Sequence, residues 1–309
     1  MNYKKIVLLW SLVAILIGAI TLTTINSKKN ISKSNEVQIK STRENVKAVK
    51  VSKIKLVGLG DSLTYGVGDQ TNKGGYIHLI KEKIEKKESI DVITKNYGKT
   101  GDRSDQILAR LLTKKNIQKD IKNANVITMT VGGNDLMQVM EKNFSSMADD
   151  KMQPVVEKSA KNYQSNLQNL IGKVRSLNKK APIFLFSVYN PFYVYFPNIT
   201  QMQDYTNKWN KIARQVTLEE NKVYFIDINK QLSMGQYVNL PKEDLVKKSE
   251  TDLDKKSGKQ LENILSNTKE KNDYLSEDDH FHPNLKGYKY MTNKLFDEMN
   301  RHKNTWLVK

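Results

Sequence analysis

Three short segments of this chain carry side chains capable of chemistry. The first is Gly58-Leu59-Gly60-Asp61-Ser62-Leu63-Thr64, a serine on a glycine-rich stretch. Leu63 stands where a dinucleotide fingerprint needs its third glycine, and no Gly-Lys-Ser/Thr follows to make a phosphate loop. Thr64 replaces the second glycine of a G-x-S-x-G elbow. What is left is a hydroxyl on a tight turn, either a nucleophile or the cap of a following helix. The second segment is Val131-Gly132-Gly133-Asn134-Asp135. Its glycines permit a sharp turn that presents Asn134, whose amide either donates to an oxyanion or caps a helix. The third is Asp278-Asp279-His280-Phe281-His282-Pro283, which holds two of the four histidines. Asp279 and His282 are three apart, a spacing that lets the carboxylate hold Nδ1–H while Nε2 faces a nucleophile. Asp278, Asp279, His280 and His282 also read as a metal site, but no further His beside them and no Cys completes a zinc set.

These segments need a scaffold that brings them to one place. Short apolar, β-branched runs predict strands at Ile54–Leu59, Asp91–Tyr97, Val126–Val131, Ile183–Val188 and Val223–Ile228. Helical spacing predicts helices at Tyr76–Lys87, Ser104–Lys114, Lys158–Leu177, Met202–Glu219 and Leu285–Asn300. Strands alternating with helices imply βαβ units, a parallel sheet of about five strands and helices on both faces. Sites in such sheets form beyond the carboxyl ends of the strands, where Ser62 and Asn134 then fall. Residues 230–275 interrupt the rhythm with a charged stretch that reads as an insertion or lid.

Taken together and in order, the blocks are similar to those of the SGNH-hydrolase (GDSL lipase/esterase) superfamily from about Lys55 to the C-terminus. Gly60-Asp61-Ser62-Leu63, Gly132-Gly133-Asn134-Asp135 and Asp279-His280-Phe281-His282-Pro283 match the first, third and last blocks. The second fits Asn96-Tyr97-Gly98-Lys99-Thr100-Gly101-Asp102, with Thr100 where the family often has Ser. The resemblance implies a flavodoxin-like three-layer α/β/α fold and ester hydrolysis through an acyl-enzyme. Ser62 would be the nucleophile, His282 its base and Asp279 the group that orients the imidazole. The Ser62 and Gly101 N–H groups and the Asn134 amide would hold the oxyanion, with Gly98 the fallback for Gly101. His280 would be a neighbour only, and no metal or organic cofactor is expected.

Composition narrows the remainder. The 309 residues include no Cys, which removes disulfides, thiolate nucleophiles and iron–sulfur clusters. Ile6–Ile25 is an uncharged, mostly apolar run of 20 residues between basic flanks, long enough to cross the roughly 30 Å of a bilayer core as a helix. Residues 1–26 are therefore expected to be a membrane anchor or signal segment, residues 27–54 a polar tether, and residues 55–309 the hydrolase domain. Residues 1–54 hold ten basic and two acidic residues, a net of +8, and the remaining 41 basic and 31 acidic residues leave +10 of the total +18. The excess is spread out, without interleaved aromatics, and suits an anionic surface better than nucleic acid.

The domain is expected at the cell membrane on its outer side, or secreted if the segment is cleaved, and as a monomer. Lipid acyl esters or lysophospholipids are the favoured substrates, with an O-acetylated cell-wall glycan as an alternative. A binding module without turnover is the reading from another class. The aromatic run from Tyr189 to Pro197 offers Tyr193 and Tyr195 as substrate contacts, or else packs on the core.

Overall fold

The computed structural model describes residues 51–142, 152–248 and 269–307. The expected anchor, nearly all of the tether and residues 249–268 of the expected insertion lie outside them. Among the described residues no helix is long and apolar enough to cross a membrane.

Five strands form one sheet: β1 (Lys53–Gly60), β2 (Asp91–Gly98), β3 (Val126–Thr130), β4 (Ile183–Phe186) and β5 (Val223–Ile226). All pairings are parallel, in the order β2-β1-β3-β4-β5. This is the flavodoxin-like order, with the topological switch point between β1 and β3. The expected strands are all present, and β1 starts at Lys53, inside the expected tether. Val51 N–H donates to the Leu307 carbonyl at 3.0 Å, so the start of the domain is stitched to its end.

Alternate residues of each strand go to opposite faces, because successive side chains of a pleated strand point opposite ways. Leu56, Val92, Val126, Phe184 and Ile226 meet Tyr76, Ile80 and Ile84 of α2 (Gly75–Glu88) and Tyr288, Met291 and Leu295 of α10 (Leu285–Arg301). Val57, Leu59, Ile127, Met129 and Leu185 meet α3 (Ser104–Thr113), α4 (Lys115–Lys122), α6 (Met152–Leu177) and α7 (Thr200–Glu219). In α6, Val156, Ala160, Tyr163, Leu167, Leu170, Ile171 and Val174 form one buried stripe. Each fully buried aliphatic side chain stabilises the fold by roughly 1.5–3 kcal/mol relative to exposure.

Two short helices shape the carboxyl edge of the sheet: α1 (Ser62–Tyr65) and α5 (Gly133–Lys142). After β5 come α8 (Asn229–Met234) and α9 (Lys242–Lys248). Leu232, Leu245 and Leu275 are buried, so the two ends of the expected 230–275 insertion belong to the domain's packing.

Candidate active site

Register decides where the chemistry sits. Gly60, the last residue of β1, pairs with Gly98 at the end of β2 and with Thr130 at the end of β3. The three strands therefore finish level, and the segments that follow them, Asp61-Ser62, Lys99–Asp102 and Val131–Asn134, leave from one line.

Asp61 caps α1: its Oδ1 accepts from Leu63 N–H at 3.0 Å and from Thr130 Oγ1–H at 2.7 Å. The capping role that the sequence left open for Ser62 is thus filled by its neighbour, and Ser62 Oγ is free to face elsewhere. Burial pushes the Asp61 carboxyl up to about 6, against the opposing pull of its Thr130 and Leu63 hydrogen bonds and of His282. Beneath it, Thr130 and Thr64 share a hydrogen bond of 2.8 Å, and Thr64 reaches the Tyr76 hydroxyl at 3.0 Å. The turn that carries the serine stands on a buried, fully bonded polar floor.

Ser62 Oγ lies 2.8 Å from His282 Nε2, and His282 Nδ1 lies 2.6 Å from Asp279 Oδ2. The other Asp279 oxygen accepts the N–H groups of Phe281 at 3.0 Å and His282 at 2.9 Å, a local turn that locks carboxylate and ring together. Burial alone would raise the Asp279 carboxyl, but the His282 ring and these N–H groups outweigh it and hold it below the usual range. An ionised Asp279 only accepts, so Nδ1 carries a proton, and in the neutral imidazole of that tautomer Nε2 turns a lone pair to the Ser62 hydroxyl. That is a hydroxyl with a proton acceptor already in place.

The side chains of this segment that the metal reading would use are engaged with other partners. His280 Nδ1 pairs with Glu270 at 2.7 Å, Asp278 bonds Ser276 Oγ–H at 3.3 Å, and Asp279 serves His282. Among the described residues no group of three or more acidic or histidine side chains converges on a cation site.

Asn134 stands in the first turn of α5. One of its amide N–H groups donates to the Asp102 carbonyl at 2.9 Å, and an amide nitrogen has a second to give. Gly132 makes this turn possible: its φ is +110°, and a Cβ there would come within 2.7 Å of the Tyr163 ring. Asp135 caps no helix of its own but reaches across to α3, accepting from Ser104 N–H at 2.9 Å and Ser104 Oγ–H at 2.5 Å. Gly101, at φ +80°, immediately precedes the Asp102 that holds Asn134. The N–H of Gly98, the fallback, is taken by Asn96 Oδ1 at 2.9 Å. Neither Ser62 N–H nor Gly101 N–H has a hydrogen-bond partner among the described residues.

A cavity of about 30 Å³ opens beside Ser62. Leu63, Val131, Leu136, Met137, Val188, Tyr189 and Phe281 give it apolar walls, and Asn134 stands at its polar end. Tyr193 and Tyr195, expected as substrate contacts, do not line it. Tyr195 is buried, and its hydroxyl accepts from Lys271 N–H at 3.0 Å and meets His280 Nδ1 at 3.1 Å. Apart from half-buried Tyr193 the aromatic run is buried, and Tyr195 ties it to the segment that carries the histidines. Tyr189 is the residue of that run at the cavity, its hydroxyl donating to the Phe281 carbonyl at 2.6 Å. Alternation along an aromatic run carries no sign of which ring faces inward, so the sequence did not separate Tyr189 from Tyr195.

The model of the family described as "GDSL-like Lipase/Acylhydrolase family" matches residues 59–290, three quarters of the chain. The chain belongs to the GDSL-like lipase/acylhydrolase family. As a member it is a carboxylic ester hydrolase of the lipase and esterase type. This GDSL-like chain is 28% identical over 249 residues to an uncharacterized protein, YpmR, of Bacillus subtilis, covering 80% of this chain and 82% of that one. It is 29% identical over 167 residues to the spore germination lipase LipC of Bacillus licheniformis, covering 53% and 74%. Among solved structures, the lipase Lip_vut3 from a goat rumen metagenome superposes with a TM-score of 0.57 at 25% identity, covering 79% of this chain and 96% of its own.

Proposed function

We propose that this acylhydrolase cleaves esters of short acyl groups, acetyl foremost, through an acyl-enzyme on Ser62. The chain of hydrogen bonds from Asp279 through His282 to Ser62, at 2.6 and 2.8 Å, carries the reading. Ser62 Oγ attacks the ester carbon while its proton passes to His282 Nε2, and Asp279 stabilises the imidazolium. The carbonyl oxygen becomes an oxyanion held by the Ser62 and Gly101 N–H groups and the second Asn134 N–H. Collapse breaks the ester C–O bond, and His282 returns the proton to the departing alcohol. Water, deprotonated by His282, then releases the acid and restores Ser62.

Cavity size supports the short acyl group. The space beside Ser62 is about 30 Å³ and is walled by Leu136, Met137 and Val188, which suits a small apolar acyl group. Lipid acyl esters and lysophospholipids are the second reading, favoured by the lipase relatives. An apolar N-terminal run, Ile6–Ile25, supports tethering at a membrane with the domain on its outer side.

One experiment tests chemistry and chain length together. Turnover of p-nitrophenyl acetate, butyrate and octanoate is compared for the wild type and Ser62→Ala, alongside labelling by a fluorophosphonate. The expected result is a kcat loss of at least about 10⁴-fold in Ser62→Ala with its circular dichroism unchanged, and a wild-type preference for acetate. Turnover surviving in Ser62→Ala defeats the mechanism. Preference for octanoate defeats the short-acyl reading alone.

A further inference from the structure

The guanidinium of Arg110, on α3, gathers acceptors from three separate segments at the carboxyl edge. Nε donates to Asp102 Oδ2 at 2.5 Å, Nη1 to the Tyr97 carbonyl at 3.1 Å and Nη2 to the Gly60 carbonyl at 2.9 Å. Each acceptor lies on a segment that leads to a proposed oxyanion donor. Gly60 lies two residues before Ser62. Asp102 follows Gly101, and its carbonyl receives the Asn134 amide at 2.9 Å. Tyr97 fixes the end of β2, from which the turn to Gly101 departs. We propose that Arg110 is the positioning residue that sets the three oxyanion donors relative to one another. This rests on the reading of Ser62, Gly101 and Asn134 given above.

Physical chemistry makes the role specific to arginine. A planar fork offers donors in fixed directions, so one side chain can hold two strand ends and a loop carboxylate at once, and a lysine ammonium cannot. Asp102 is only 4% exposed, so its charge needs a partner. Without Arg110 the ion-pair partner left is Lys99, 3.5 Å away on a largely exposed side chain, with Arg103 acting on Asp102 only through space. Turning toward Lys99 would drag the Asp102 backbone, and with it Gly101 and the Asn134 tether. Misplacing preorganised donors weakens transition-state binding far more than substrate binding.

Arg175 supplies the contrast for a test. It gathers carbonyls in the same manner, from Asn178 at 3.0 Å, Ala181 at 2.8 Å and Asn221 at 2.9 Å, but at the amino edge, away from Ser62. Arg110→Met, Arg110→Lys and Arg175→Met are assayed on p-nitrophenyl acetate well below their melting temperatures. Arg110→Met is expected to lose roughly 30- to 100-fold in kcat with KM within about 2-fold, and Arg110→Lys to recover only a small part. Arg175→Met should melt lower and keep kcat within about 2-fold.

The deciding measurement is a double-mutant cycle. Asn134→Ala, expected to cost about 10²- to 10³-fold alone, should cost under about 10-fold in the Arg110→Met background. A folded Arg110→Met with wild-type kcat, or an Asn134→Ala penalty equal in both backgrounds, overturns the proposal. Should Arg110→Met not fold, Asp102→Asn takes its place in the cycle, and an Asn134→Ala penalty undiminished there overturns the proposal equally. Turnover that survives Ser62→Ala fails the serine reading first. A dead Ser62→Ala beside a fully active Arg110→Met fails this proposal alone.

Discussion

Two asparagines at opposite edges of the sheet show how one residue type serves structure and chemistry. At the amino edge Asn178 commits both ends of its amide. Its Nδ2 donates to the carbonyls of Ile121 at 2.8 Å and Ala124 at 2.9 Å, and its Oδ1 accepts from Lys180 at 3.0 Å and Ala181 at 2.9 Å. At the carboxyl edge Asn134 gives one N–H to Asp102 and remains half-buried beside the cavity. The first amide closes the loops that lead into β3 and β4. The second is held still by one bond so that the other can be offered outward. A saturated amide stabilises; an amide held in reserve can stabilise something that arrives later.

The sharpest way to break this contrast is to remove both amides. Asn134→Ala should lower kcat by about 10²- to 10³-fold, since the lost donor acts in the transition state, and should leave the melting temperature almost unmoved. Steady-state kinetics and calorimetry together decide it, and an unstable, fully active Asn134→Ala would reverse the assignment. Asn178→Ala should do the opposite. Stranding buried carbonyls and N–H groups costs about 2–3 kcal/mol, a fall of several degrees in melting temperature, with kcat unchanged.

The smallest expected effect concerns Asp61, the buried carboxyl on the chemical edge. Its folded value of about 6 exceeds the ordinary 3.8, so between these values the folded protein keeps a proton that the unfolded chain has lost. Stability therefore falls as pH rises from about 4 to 6, by at most the linkage of one proton. Melting temperature followed across pH 4–7 should show this downward contribution in the wild type and a flatter profile in Asp61→Asn. Identical profiles would mean that the carboxyl does not titrate there.

Much of the scaffold was legible because buried parallel strands are short apolar runs, and all five lie within two residues of their expected ends. The long helices were legible from their stripes. The helix α5 was hidden because Gly132-Gly133 reads as a breaker, although Leu136 and Met140 are its buried positions. With only Ile117 and Ile121 buried, α4 gave too few positions to establish a period. In the site, Ser62, Asn134, Asp279 and His282 were legible because their types and order point to one chemistry. Arg110 was not, since a basic residue on an amphipathic helix looks the same whether it faces solvent or three carbonyl and carboxylate acceptors. Tyr195 was left between substrate contact and core for a related reason: an aromatic ring advertises contact, and the burial that decides with what belongs to the fold.

The bond between Ser62 and His282 spans 220 positions of the chain, while the last strand ends at Ile226. A ribosome that has delivered anything between residues 227 and 278 has made every strand and the serine, yet neither Asp279 nor His282. On the proposed mechanism the nucleophile is thus built early and its base last, when the segment that docks α10 arrives. A growing polypeptide short of residue 282 lacks the base that the proposed mechanism needs, whatever esters surround it during synthesis.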